Sequence, residues 1–189
     1  MARPLSEDKR TAILEAATEL VAMLGVSAPT AKIAKGAGVA EGTLFTYFAN
    51  KDELLNRLYL ELKMDLRDAM MTGYPAGKSL IDRSRHVWDR FIDWGSAYPS
   101  KRRAMRQLAV SERITEESKK LVEDAFGEVN DTMREWAVGG AMRHQPPSFV
   151  SAIMTAIADT TMDFIAREPA QATRYTKAGF DAFWKAVAG

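Results

Sequence analysis

Apolar residues recur at steps of three and four along almost the whole chain, and this spacing constrains the fold more than any other feature. Residues three and four apart share one face of an α-helix, whereas a half-buried strand needs strict alternation, which is missing here. The first stripe stops at Gly25 and comprises Ile13, Ala16, Ala17, Leu20, Val21 and Leu24. The second follows Lys51 and comprises Leu54, Leu55, Leu58, Tyr59, Leu62 and Leu66. The sequence therefore predicts an all-α protein.

Further helices are expected between breaker residues in the rest of the chain. The segment Gly-Tyr-Pro-Ala-Gly at 73–77 is the clearest break. Prolines at positions 99, 146, 147 and 169 fall between the remaining apolar stripes, where proline is tolerated at a helix start. The expected helices are 79–97, 100–112, 115–138, 148–167 and 172–187.

The residue types that catalysis and metal binding need are scarce. The chain has 189 residues and no cysteine, which excludes disulfides, thiol nucleophiles and thiolate-bound metals. His86 and His144 have no second ligand at a useful spacing, so no metal site is expected. No Ser/His/acid set, phosphate loop or carboxylate pair stands out. We therefore expect no catalytic residue, no cofactor and no enzyme activity.

The cellular location is also constrained by the sequence. We recognise no signal peptide and no apolar run of 18 residues, so a membrane partner is not expected. The formal net charge is +1, from 26 Lys and Arg against 25 Asp and Glu. Such a balance gives no global argument for nucleic acid and none against a local basic patch. A cytoplasmic protein is expected, associated with the nucleoid if it binds DNA.

The segment between the two apolar stripes is organised differently. A short helix is predicted from Thr30, which would act as an N-cap behind Pro29, to residue 37. Gly38 would adopt the left-handed conformation of a tight turn, and a second short helix would run over 41–48. A helix, a turn with glycine and another helix form the DNA-binding helix-turn-helix. An ordinary helical hairpin fits the pattern alone equally well.

This segment resembles the DNA-binding domain of the TetR family of transcriptional regulators. The resemblance rests on TAKIA at 30–34, AGV at 37–39 and GTLFTYFANKDELL at 42–55. It implies a three-helix DNA-binding domain over residues 1–52 and a helical ligand-binding and dimerisation domain over 53–189. It also implies a homodimer that docks two helices in successive major grooves of a palindromic double-stranded operator.

The resemblance also assigns DNA contacts to particular residues. The positions expected to face bases are Glu41, Thr43 and Thr46. The positions expected to contact phosphates are Thr30, Tyr47 and Lys51, whose hydroxyl and ammonium groups donate hydrogen bonds. Lys32, Gly42 and Phe45 complete the expected interface, with Phe45 against a sugar or a thymine methyl group. A carboxylate only accepts, so Glu41 would favour a cytosine amino group.

Several stretches after residue 55 resemble multidrug-sensing members of the same family, among them RQLAVSE at 106–112 and TTMDF at 160–164. This resemblance implies a small-molecule site lined by Tyr59, Lys63, Leu66, Met70, Met105, Ser151 and Met154. Methionine adapts its shape to different ligands. Tyr59 and Lys63 lie one helical turn apart and would face one cavity. The inducer expected is a bulky apolar or amphipathic molecule.

The last two predicted helices are expected to form the dimer interface. Their apolar stripes comprise Ile153, Ile157, Thr160, Thr161, Phe164, Tyr175, Phe180, Phe183 and Trp184. Some of these residues must face the core of their own subunit, and the sequence alone does not divide them.

The function expected from these features is a ligand-responsive repressor of the TetR family, controlling efflux or multidrug-response genes. The alternative from another class is a helical small-molecule carrier or interaction protein without sequence-specific DNA binding. A third reading is a DNA-binding protein with a filled core that takes no ligand. A salt-dependent, sequence-selective gel shift separates the first reading from the second.

Overall fold

The computed structural model describes residues 6–137 and 142–188, and the secondary structure in these ranges is helical. The predicted all-α class is confirmed. The α-helices of the described residues are α1 (Glu7–Leu24), α2 (Thr30–Gly36), α3 (Glu41–Tyr47), α4 (Lys51–Met71), α5 (Leu80–Ala97), α6 (Pro99–Ala109), α7 (Glu116–Ala125), α8 (Gly127–Ala137), α9 (Pro147–Arg167) and α10 (Ala172–Ala188).

One helix prediction is wrong. The stretch 115–138 was expected to be one helix, but α7 ends at Ala125 and α8 begins at Gly127; residue 138 lies outside the described residues. Glycine is a poor helix former, which favours a break at this position. The Asn130 side chain spans the break by donating a hydrogen bond to the Glu123 carbonyl over 3.1 Å.

The chain divides into two compact units, each described here by itself. The first unit comprises Met1–Met64 and Tyr98–Val122, and the second comprises Asp65–Ala97 and Glu123–Gly189. This division reflects compactness. The functional boundary after residue 52 stays a prediction.

In the first unit, α1 packs against α2 and α6. A Cβ atom added to Gly36 would lie 3.2 Å from the Cβ of Ala16, so small residues allow α1 and α2 to cross closely. The apolar stripes predicted from the sequence supply the core. Its fully buried members include Ile13, Ala17, Val21, Ile33, Leu44, Leu54 and Leu55.

In the second unit, α5, α8, α9 and α10 pack together around a group of aromatic side chains. The Trp88 ring stacks on Phe183 with the centroids 6.0 Å apart, and its indole N–H donates to the Thr176 carbonyl over 3.0 Å. A Cβ atom on Gly179 would lie 2.7 Å from the Trp88 ring and would also collide with the Thr161 hydroxyl. Glycine at this position therefore lets α10 approach α5 and α9.

Candidate functional site

The turn between α2 and α3 is built by Gly38. Its φ of +68° is the left-handed conformation that the sequence predicted. The Gly38 N–H donates to the Lys35 carbonyl over 3.2 Å, and the Val39 N–H donates to the Ala34 carbonyl over 3.0 Å. These two bonds form a Schellman motif, which closes the end of α2. They fix the direction in which the chain leaves α2 toward α3.

The α3 helix has one buried face and one uncovered face. Leu44 and Phe48, which directly follows the helix, are 0% and 2% exposed and anchor it to the core of the first unit. On the opposite side Glu41, Gly42, Phe45 and Thr46 are exposed, whereas Thr43 is half-buried. A Cβ atom on Gly42 would meet nothing within 4 Å. The uncovered side of α3 therefore offers a face that another molecule can approach.

Thr30 does not cap α2 as the sequence predicted. Pro29 occupies the N-cap position with an extended backbone, which places Thr30 inside the first turn of the helix. The Thr30 hydroxyl instead donates a hydrogen bond to Oε1 of Glu41 over 2.6 Å. This bond orients the carboxylate at the start of α3. It brings together one residue predicted to contact a phosphate and one predicted to face a base.

The hydroxyl groups near the end of α3 are arranged differently. The Tyr47 oxygen accepts the Ser6 backbone N–H over 3.0 Å, which leaves the phenolic proton to donate elsewhere. The Thr46 hydroxyl donates to the Gly42 carbonyl over 3.1 Å within α3. Lys32, the remaining predicted contact, is exposed on α2.

A reciprocal cap fixes the beginning of α4. The Glu53 N–H donates to Oδ1 of Asn50 over 2.8 Å, and the Ala49 N–H donates to Oε2 of Glu53 over 2.6 Å. The arrangement is a variant of the capping box. Lys51 is the first residue of the helix that follows. This cap was not predicted from the sequence, although an Asn followed three residues later by a Glu is its ordinary signal.

Lys51 is half-buried and lies in a mixed electrostatic environment. Burial lowers the pKa of Lys51, the positive charge of Arg113 lowers it further, and the Asp52 carboxylate acts in the opposite direction. Arg113 lies between α6 and α7, and its Nη1 donates to Oδ1 of Asp52 over 2.6 Å. Sequence reasoning missed Arg113 because nothing in the local sequence brings it to the start of α4.

Two residues predicted to bind a ligand are neighbours on α4. The Lys63 Nζ lies 5.8 Å from the centroid of the Tyr59 ring. Tyr59 is 7% exposed and Lys63 is half-buried. Burial raises the pKa of the Tyr59 hydroxyl and lowers the pKa of the Lys63 ammonium group. The pair therefore offers an aromatic face and a donor that is poorly solvated.

The other residues predicted to bind a ligand are distributed over both units. Met105 is buried in the first unit. In the second unit Leu66, Met70 and Met154 are buried, and Ser151 is half-buried. Burial of this kind fits a hydrophobic core as well as a ligand lining, so their role stays a prediction.

An apolar face is left uncovered on α9 and α10 in the second unit. It forms an open groove of about 500 Å³, lined by Ala156, Ile157, Thr160, Thr161, Phe164, Tyr175, Ala178 and Gly179. The structure divides the stripes that the sequence left undivided. Thr161, Phe180 and Phe183 are buried in the subunit, Thr160 and Phe164 are exposed, and Ile153, Ile157, Tyr175 and Trp184 are half-buried.

The α9 helix is apolar on both sides. The segment Ser148–Arg167 is long and apolar enough to span a membrane by length and composition alone, although Asp159 and Asp163 interrupt its apolar run. Only 33% of its apolar window is buried. One side of α9 packs against α5, α8 and α10. The exposed α9 residues Ala156, Thr160 and Phe164 line the uncovered groove together with residues of α10.

The segment that contains the helix-turn-helix is similar to a known family of regulators. Residues 13–58 match the family model for bacterial regulatory proteins of the tetR family. A segment of 76 residues is 37% identical to the uncharacterized HTH-type transcriptional regulator YhgD of Bacillus subtilis. That segment covers 38% of this chain and 40% of the relative, so less than half of either protein is compared.

Similarity to solved structures extends over nearly the whole chain. A protein from Shewanella sp. PV-4 assigned to the tetR family of transcription regulators matches with a TM-score of 0.82 and 26% identity, over 96% of this chain and 98% of that chain. The regulator FadR from Bacillus subtilis, solved with stearoyl-CoA, matches with a TM-score of 0.67 and 16% identity over 94% and 99% of the chains. LfrR from Mycobacterium smegmatis, solved with proflavine, matches with a TM-score of 0.66 and 18% identity over 93% and 95%.

Proposed function

Because the family model and the full-length fold support a TetR-family transcriptional regulator, we propose that this protein is a ligand-responsive repressor. It binds a palindromic operator as a homodimer and leaves the DNA when a bulky apolar or amphipathic molecule binds. The observation that carries the proposal is the uncovered side of α3, where Glu41 is oriented by Thr30. A helix of this kind, anchored on one side and polar on the other, suits the major groove.

The DNA contacts proposed here fall into two groups. Glu41, Thr43 and Thr46 on α3 read base edges, because side chains on a helix in the major groove reach the donors and acceptors of the bases. Tyr47 and Lys51 hold the phosphates on either side. Tyr47 supports this role because its phenolic proton is left available by the bond from Ser6. The remaining predicted contacts, Thr30, Lys32, Gly42 and Phe45, border the same face.

A second copy of the chain is the partner proposed for the apolar groove on α9 and α10. Phe164 is 41% exposed in this groove, and contiguous apolar surface of this kind is found at interaction sites on soluble proteins. Two copies of a helix pair would bury each other in a four-helix interface with two-fold symmetry. The same symmetry would present two α3 helices to a palindrome.

The inducer proposed is an amphipathic molecule with a carboxylate or a carbonyl group. Tyr59 would stack against its apolar body, and the poorly solvated Lys63 ammonium group would pair with its polar group. The resemblance to multidrug-sensing repressors such as RamR favours control of efflux genes. Two structural neighbours were solved with an acyl-CoA and with proflavine, which belong to those proteins and illustrate the range of ligands that this fold holds.

Release of the DNA is proposed to pass through α4. This helix begins at Lys51 and carries Tyr59 and Lys63 further along. With a rise of about 1.5 Å per residue, Lys63 lies roughly 18 Å along the helix from Lys51. A ligand that prefers one orientation of α4 shifts the protein toward that orientation, and the coupling free energy in such systems is about 1–3 kcal/mol.

The proposal is tested by selecting a preferred duplex from a randomised DNA library. We expect a palindrome that binds selectively, and whose binding weakens when bile acids, detergents or dyes raise the melting temperature of the protein. Tyr59→Ala should abolish these ligand responses, whereas Tyr98→Ala, at a tyrosine that is 49% exposed, should retain them. Ligand binding without selection of any DNA sequence would instead favour a helical carrier protein.

A further inference from the structure

We propose that Arg113, which lies outside the helix-turn-helix, contacts a DNA phosphate beside Lys51 and is held in place by Asn56. This inference rests on the proposed DNA binding and extends the interface to the segment between α6 and α7. It is carried by the position of the Arg113 guanidinium group and by the way its backbone is fixed.

The Asn56 side chain fixes the backbone around Arg113. Its Nδ2 donates to the Arg113 carbonyl over 2.8 Å, and its Oδ1 accepts the Thr115 N–H over 2.9 Å. The Thr115 hydroxyl donates to the same oxygen over 3.2 Å. Both ends of one amide are thus engaged with the segment 113–115. The segment is attached to the second turn of α4, five residues after Lys51.

The Arg113 side chain extends toward the first turn of α4. Its Nη1 donates to Oδ1 of Asp52 over 2.6 Å, and the side chain remains 48% exposed. A guanidinium group has five N–H donors in a planar fork, which matches the oxygens of a phosphate. The bond to Asp52 occupies one of its nitrogen atoms. The exposed remainder of the group can accept a second anionic partner without leaving Asp52.

Lys51 is the first residue of α4 and precedes Asp52, the residue whose carboxylate binds Arg113. The positive charge of Arg113 is one of the causes that lower the pKa of Lys51, as expected from repulsion between two neighbouring cations. A phosphate between them would replace this repulsion with two attractions. Glu53 also lies in the first turn of α4 and its carboxylate accepts the Ala49 N–H, so the attraction for a phosphate comes from the two cationic donors and not from a net positive charge of this segment.

The competing explanation is that Arg113 only neutralises Asp52. In that case Arg113→Gln would weaken DNA binding indirectly, by leaving an unpaired carboxylate near the phosphates. A double-mutant cycle with Asp52→Asn separates the two explanations. The effect of Arg113→Gln should persist when Asp52 is already neutral if Arg113 contacts a phosphate, and it should vanish if Arg113 acts only through Asp52.

The experiment measures binding of the full chain to the duplex selected from the randomised library, at several salt concentrations. We expect Arg113→Gln to weaken binding about 10-fold in both the parent and the Asp52→Asn background. The slope of log K against log salt should fall by about 1.8 per dimer, since each phosphate contact contributes about 0.9. Arg113→Lys should retain most of the slope because it retains the charge. Arg90→Gln removes an exposed arginine on α5 and should change neither quantity.

The outcomes separate this inference from the proposed function. Suppose that the parent protein selects a duplex. If Arg113→Gln then has the salt slope of the parent, or if Arg113→Gln no longer weakens binding in the Asp52→Asn background, the inference is wrong and the proposed function stands. If the parent protein selects no duplex, both are wrong. Thermal unfolding checks the variants, and we expect melting temperatures within about 3 °C of the parent because exposed ion pairs contribute little.

Discussion

The uncovered side of α3 in the first unit and the uncovered groove on α9 and α10 in the second unit differ in chemistry. On α3 the uncovered side carries a carboxylate, a threonine hydroxyl and one exposed aromatic ring. On α9 and α10 it combines alanine, isoleucine, phenylalanine and glycine with two threonines and a tyrosine, and none of the described residues that line it carries a charge. The first face exposes hydrogen-bonding groups that water already satisfies, whereas the second exposes surface that water disfavours. Each uncovered face therefore indicates the kind of partner that it fits.

The supporting structure behind the two faces differs as well. The α3 helix is held by Leu44 and Phe48 and by the turn at Gly38, which together orient a short helix without burying its outer side. The α9 helix is 21 residues long and packs against three other helices while remaining apolar on its outer side. A short helix held at a fixed angle suits reading DNA, and a long apolar helix suits association with a second copy.

The largest effect is expected from a charge placed on the apolar face. Ala156→Glu puts a carboxylate on the exposed side of α9, where a partner would bury it without a counterion. We expect a monomer, and operator affinity at least about 100-fold weaker because the avidity of two linked half-site contacts is lost. Analytical ultracentrifugation and fluorescence anisotropy measure the two quantities. Ala166→Glu, at an exposed alanine outside the groove, is the control, and a dimer in both variants would contradict the interface.

The next effect concerns the packing that forms this face. Gly179→Ala would drive a methyl group into the Trp88 ring and the Thr161 hydroxyl. Overpacking of this kind costs about 1–3 kcal/mol, so we expect a lower melting temperature and weaker dimerisation. Gly127→Ala, where an added Cβ meets nothing within 4 Å, should leave both unchanged or slightly improved. Equal stability of the two variants would mean that α10 tolerates a larger separation from α5.

A smaller effect on DNA binding is expected from substitutions on α3 and at the start of α4. Lys51→Ala should weaken binding to the selected duplex and to unrelated duplexes alike, by about 10-fold, and reduce the salt slope by about 2 per dimer. Glu41→Gln should instead reduce discrimination between sequences and leave the slope nearly unchanged, because it alters a base contact and not a phosphate contact. Anisotropy titrations at several salt concentrations measure both. An unchanged slope in Lys51→Ala would remove this residue from the interface.

The smallest effect is expected for ligand binding at Tyr59 and Lys63 on α4, and it depends on pH. Burial lowers the pKa of Lys63 from 10.5, so the ammonium group loses its proton at a lower pH than an ordinary lysine. Affinity for an anionic bile acid should therefore fall by about 3-fold as the pH rises toward 10.5, since Lys63 is half-buried and a partly solvated ion pair contributes about 1 kcal/mol or less. Isothermal titration calorimetry measures this change. Lys63→Met should remove the pH dependence of the bile-acid affinity. The affinity for a neutral detergent should not depend on pH in either protein.

Local sequence signals predicted the helix-turn-helix well. The two short helices were predicted where α2 and α3 lie, and the need for a left-handed residue identified Gly38. The N-cap assignment of Thr30 failed because the preceding Pro29 already has the extended backbone of an N-cap, which moves Thr30 into the helix. The break at Phe126 was missed because the apolar spacing continues through it.

Contacts between distant parts of the chain were beyond the sequence. Arg113 and Asp52 are 61 residues apart, and no periodicity links them. The stripes on α9 and α10 could be recognised, but their division into core and uncovered residues depends on where the neighbouring helices lie. The role of Tyr59, Lys63 and the other predicted ligand residues came from resemblance and stays a prediction.

The central claim is that the uncovered side of α3 reads DNA while α9 and α10 hold two copies together. The most direct measurement is the stoichiometry and selectivity of binding to the selected palindrome and to a scrambled duplex of the same composition. The account predicts two protomers per palindrome, with affinity for the scrambled duplex at least about 1000-fold weaker. Equal affinity for the two duplexes, or saturation at one protomer per palindrome, would contradict it.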